Sequence, residues 1–130
     1  MPKPKVTIVD DDRDTRELLS QVLESEGFEV NAAANGLRLI ASLQLQRPHV
    51  ILMDVNMSWI DGFELCKAVK KNAQFQDIPV VFMSGRGEPE DKRKGMEAGA
   101  ADYFVKPLDL TQLIHRLHEL IPTSSLEQES

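Results

Sequence analysis

Asp10, Asp11 and Asp12 follow the apolar run Val6-Thr7-Ile8-Val9, and Asp54 follows Val50-Ile51-Leu52-Met53. Ser84 follows Val80-Val81-Phe82-Met83, and Lys106 follows Asp102-Tyr103-Phe104-Val105. An acid that ends a buried apolar run is costly unless it is paired. Gathered carboxylates also repel: two unit charges ~4 Å apart cost about 4 kcal/mol at an effective dielectric near 20. Either a proton is shared, which raises one pKa, or a cation sits between the acids. Oxygen donors that leave room for water suit Mg2+. Zinc would need a Cys/His cluster, but Cys66 is the lone cysteine and His49, His115 and His118 are scattered. A metal held by a few carboxylates commonly takes a phosphate as well. A nearby lysine neutralises phosphate charge as a compact ammonium, and a serine hydroxyl can bond a phosphoryl oxygen. These residue types predict Mg2+-dependent phosphoryl chemistry with a carboxylate nucleophile.

The elements that must bring these residues together alternate regularly. Strand-like Val6–Val9 precedes a helical stretch near Arg13–Glu26, with Leu18, Leu19, Val22 and Leu23 on one face. Asp12 reads as its N-cap and Gly27 as its C′ residue. Phe28–Ala32 reads as a strand, Asn35-Gly36 as a turn, and Leu37–Gln46 as a helix with Leu39, Ile40, Leu43 and Leu45 inward. Val50–Met53 is near-continuously apolar and so central, covered on both faces. Gly62 opens a helix to about Ala73, Val80–Met83 is a fourth strand, and Pro89 opens a helix ending at Ala98-Gly99. Asp102–Val105 and a helix over Leu108–Ile121 complete five βα units. The predicted class is α/β, a doubly wound five-stranded parallel sheet in the flavodoxin-like order 2-1-3-4-5 between two helical layers. In that order the strand ends carrying Asp10, Asp11, Asp54, Ser84 and Lys106 converge.

The chain has 130 residues, which suits one domain with a full core and no need of disulfides. No run reaches the roughly 18 apolar residues of a membrane span. Met1-Pro2-Lys3-Pro4-Lys5 has no apolar core behind it, unlike a signal peptide. A cytoplasmic location is expected, and the single cysteine fits a reducing compartment. Cys66 sits in an apolar helical pattern and reads as a packed thiol. The formal net charge of −6 argues against nucleic-acid binding by this chain alone.

With these residues in place, the chain resembles a receiver domain of a two-component response regulator over residues 5–121. The resemblance rests on Val9-Asp10-Asp11, Leu52-Met53-Asp54, Met57, Asp61-Gly62, Ser84-Gly85, Gly99-Ala100-Ala101-Asp102-Tyr103 and Lys106-Pro107, in that order. It implies that Asp54 is the phosphoacceptor and that Asp10, Asp11, Asp54 and the Asn56 main-chain carbonyl hold Mg2+. It further implies that Ser84 bonds the phosphoryl group, that Lys106 pairs with it, and that Tyr103 is a switch aromatic moving inward with Ser84. The Lys106–Pro107 bond is often cis in this family. The implied donor is a sensor histidine kinase or phosphotransfer protein. The implied reader is a downstream protein, a fused output domain, or a second copy docked on the fourth helix, fifth strand and fifth helix. Residues 122–130 read as a flexible tail or the start of a linker.

Some residues depart from the family pattern or admit plainer readings. Ser58 stands where the family usually has proline, which leaves that loop freer. Trp59-Ile60 then places two large apolar residues beside the site. The helix near Glu90–Ala98 is nearly all charged and contains Gly95, so local looseness is expected. Asp61 reads equally as a helix cap, and Arg86 and Asn56 occupy positions that modulate acyl-phosphate lifetime in receivers. A haloacid-dehalogenase-type phosphatase is the alternative, although it would need a second acid at the position of Asn56. A flavodoxin-like FMN carrier would need a hydroxyl-rich phosphate loop where the Asp10–Asp12 run stands.

Overall fold

A computed structural model of the chain describes residues 3–121. Ten elements alternate without exception: β1 (Lys5–Val9), α1 (Arg13–Ser25), β2 (Glu29–Ala33), α2 (Gly36–Leu45), β3 (Val50–Asp54), α3 (Gly62–Lys71), β4 (Val80–Ser84), α4 (Pro89–Glu97), β5 (Asp102–Val105) and α5 (Leu110–Leu120). The strands form one sheet in the order β2-β1-β3-β4-β5, and every pairing is parallel. The expected flavodoxin-like α/β fold is therefore the observed one.

Side-chain alternation along each strand divides the interior into two cores. Val6 and Ile8 of β1, Val50 and Leu52 of β3, and Val81 and Met83 of β4 pack with Leu19 and Leu23 of α1 and Leu113 and Leu117 of α5. On the other face, Val9, Ile51, Met53, Val80 and Phe82 pack with Leu39 and Leu43 of α2 and Phe63, Cys66 and Val69 of α3. Both β3 and β4 are buried along their whole length, as continuous apolar runs in a doubly covered sheet should be. Edge strand β2 buries only Ala33.

Caps fix where the helices start. The Asp12 carboxylate accepts from the Thr15 N–H at 3.0 Å, Asn35 from Arg38 at 2.8 Å, and Asp109 from Gln112 at 3.1 Å. Asn35-Gly36 is thus a cap and first helical residue rather than a free-standing turn. Gly27 follows α1 with a φ of 94°, the left-handed conformation that ends helices.

Two leucines point elsewhere than expected. Leu18 is 57% exposed and Leu45 89% exposed. The buried stripe of α1 is centred on Leu19 and Leu23, and Leu18 lies one position, ~100°, around the helix. In α2 the stripe is Leu39 and Leu43, and two residues on from Leu43 the chain has turned ~200° to the solvent side.

Candidate functional site

The carboxyl ends of the strands meet where expected. Asp10 follows β1 and is 1% exposed, Asp54 ends β3 at 5%, and Ser84 ends β4 with no exposure. One carboxylate oxygen each from Asp10, Asp11 and Asp54 lie within 4.8 Å of one another. Lys106, after β5, places Nζ 3.6 Å from Asp10 Oδ2 and 3.7 Å from Asp54 Oδ1. The Lys106–Pro107 peptide is cis. Asn56 is exposed in the following loop, and its backbone favours the ionised form of the Asp54 carboxyl.

The electrostatics are those of crowded acids. Burial pushes the Asp54 carboxyl up to about 6, and the Asp10 charge adds to the rise against the opposing Lys106 ammonium. Asp10 is also raised, chiefly by burial, although its Oδ1 accepts the Asp12 N–H at 2.8 Å. Its Oδ2 is buried without a hydrogen-bond partner. A carboxylate oxygen with no hydrogen bond, 3.6 Å from the Lys106 ammonium and close to two further acids, fits a hard divalent cation, as the oxygen-only donor set does.

The remaining predicted residues have defined places. Ser84 Oγ accepts the Arg86 N–H at 3.0 Å. Tyr103 is buried, and its hydroxyl donates to the Arg86 carbonyl at 2.6 Å, so the main chain of Arg86 links Ser84 to Tyr103. The Tyr103 ring is packed inside the domain. Asp12 and Asp61 serve as caps, Asp61 accepting from Phe63 at 2.7 Å. Cys66 is fully buried and its thiol is pushed up to about 11 by burial. His115 is largely exposed, while His118 stacks on Phe28 with centroids 4.7 Å apart.

Ser58, expected only to leave its loop freer, contacts Asp11. Its N–H and its hydroxyl both donate to Asp11 Oδ2, at 3.0 and 2.6 Å. The Arg16 guanidinium likewise holds the Asp10 carbonyl at 2.7 Å. Neither contact has a local sequence signal; the only hint for Ser58 is that it replaces a residue with no N–H.

Fold and site together define a doubly wound α/β domain with an acid-and-lysine pocket at its topological switch point. The chain belongs to the response regulator receiver domain family, whose model matches residues 6–118. It is 39% identical over 118 residues to the transcriptional regulatory protein PrrA of Mycobacterium tuberculosis, covering 91% of this chain and 50% of that protein. It is 34% identical over 119 residues to the DNA-binding dual master transcriptional regulator RpaA of Synechocystis, covering 91% and 49%. The chain spans about half the length of these relatives. Among solved structures, the chemotaxis protein CheY4 of Vibrio cholerae superposes with a TM-score of 0.86 at 35% identity, over 92% of this chain and 99% of that one. A putative response regulator from Chloroflexus aurantiacus gives 0.87 at 32%, over 92% and 98%.

Proposed function

We propose that this domain, over residues 5–121, takes a phosphoryl group onto Asp54 from a phosphohistidine donor, a sensor histidine kinase or phosphotransfer protein. The observation that carries the reading is the meeting of Asp10, Asp11 and Asp54 within 4.8 Å beside the Lys106 ammonium, 3.7 Å from the Asp54 carboxylate. Asp10, Asp11, Asp54 and the Asn56 carbonyl are the proposed holders of Mg2+, which when bound would offset the negative charge of acids and phosphoryl oxygens. An Asp54 oxygen attacks phosphorus, the P–N bond of the donor breaks, its electron pair returns to the imidazole, and an acyl phosphate forms. Lys106 balances the phosphoryl charge, and Ser84 turns its hydroxyl from the Arg86 N–H toward a phosphoryl oxygen. Because the main chain of Arg86 also holds Tyr103, that turn biases the surface of α4, β5 and α5 between two arrangements.

Receiver domains are phosphoacceptor switches rather than enzymes in the usual sense, and family membership favours this reading over the haloacid-dehalogenase-type phosphatase. The surface of α4, β5 and α5 is the proposed contact for a downstream protein, a fused output domain or a second copy. Nucleic acid is not a proposed partner of this acidic chain itself, whatever an attached domain binds. Among the described residues no helix is long and apolar enough to cross a membrane, which fits a cytoplasmic role. The proposed tail, 122–130, lies outside the described residues. The test is phosphotransfer from a labelled phosphohistidine protein or a small phosphoramidate with Mg2+. Label should appear on the native chain and vanish in Asp54→Asn; label that persists on the variant overturns the assignment.

A further inference from the structure

We propose that Ser58 is a positioning residue that holds the Asp11 carboxylate at the cation site; this rests on the metal reading above. Asp11 is exposed, and its charge opposes those of Asp10 and Asp54. A solvent-facing carboxylate in that setting gains by rotating outward, away from the other two. Ser58 opposes this with two donors on a single oxygen, Oδ2, at 3.0 Å from its N–H and 2.6 Å from its hydroxyl. A carboxylate has about four acceptor sites, so two hydrogen bonds leave capacity for a ligand. In the latched position Asp11 still offers an oxygen within 4.8 Å of those of Asp10 and Asp54. The latch therefore keeps the third ligand in place before the cation arrives, instead of competing with it. Hydrogen-bond donors that orient a ligating carboxylate commonly set metal affinity by about 10–100-fold. Ser58 lies in the loop between β3 and α3, so the same contact ties that loop to the one between β1 and α1.

The test is Mg2+ binding by isothermal titration calorimetry without any phosphodonor, on the native chain, Ser58→Ala, Ser58→Thr, Ser58→Pro and Asp11→Asn. Ser58→Ala, which keeps only the N–H, should bind Mg2+ about tenfold more weakly. Ser58→Pro, which has neither donor, should lose more, and Ser58→Thr, which keeps both, should bind like the native chain. Alanine and proline variants that bind as tightly as the native chain, or more tightly, overturn the proposal and leave the metal reading standing. A native chain that takes up no Mg2+ sinks the metal reading, and this proposal with it.

Discussion

At the residue scale, Asp54 carries an unfavourable charge despite the Lys106 ammonium 3.7 Å away. Its carboxyl is raised to about 6, first by burial and then by Asp10, whereas in the unfolded chain it would titrate near 4. Between these values the folded state binds the proton more tightly than the unfolded one, so this site's contribution to stability falls as pH rises from about 4 to about 6. In chelator at pH 7.5, Asp54→Asn should therefore be more stable than the native chain, by roughly 1–3 kcal/mol. Urea denaturation at pH 7.5 and near pH 4 should show the gap closing in acid; a gap of equal size at both pH values would contradict the charge argument. Cys66, buried with its thiol raised to about 11, should react with thiol reagents at pH 8 far more slowly in the folded chain than in urea. Asp54 and Lys106 were legible because each ends a hydrophobic run. Ser58 was not, because Asp11 lies 47 positions away and nothing local announces the pair.

At the element scale, α4 stands apart. Its only buried residue is Gly95, and its N-cap, Glu88, makes no side-chain cap bond. Arg93 bridges Glu90 and Glu97 across its exposed face, a kind of pairing worth ~0.3–0.5 kcal/mol. Amide hydrogen exchange should be faster in α4 than in α5, which is capped by Asp109 and buries Leu113 and Leu117. Gly95 is more than a weak point in the helix. A Cβ there would lie 2.9 Å from Tyr103 Cδ2 and 3.2 Å from Phe82 Cδ2. Gly95→Ala gains up to ~1 kcal/mol of helix propensity but meets overpacking costs of ~1–3 kcal/mol. The expected result is a lower urea midpoint, and a higher one would mean that α4 shifts freely. The sequence pattern showed Gly95 as a helix cost only, since Phe82 and Tyr103 reach it from β4 and β5.

At the scale of the whole molecule, the strand order was readable from alternation and the inward stripes of the helices from pairs such as Leu19/Leu23 and Leu39/Leu43, whereas which helix covers which face was not spelled out by any local pattern. What also escaped was rotation: Leu18 and Leu45 are apolar, yet they sit off the buried stripes. Occupancy of the acidic pocket should feed back on global stability, because a ligand that binds only the folded state adds about 2.7 kcal/mol at a hundred times its dissociation constant. Mg2+ should raise the thermal midpoint of the native chain, and the rise should shrink in Asp10→Asn and Asp11→Asn. An equal rise in all three would place the cation elsewhere.

Trp59 is the chain's single tryptophan, is 92% exposed, and adjoins the serine that grips Asp11. The molecule thus carries an intrinsic optical probe, free of background from any other indole, next to its cluster of acids. Its emission maximum should lie near that of tryptophan in water, and its intensity should follow the loop between β3 and α3 as the pocket fills, in real time and without a label.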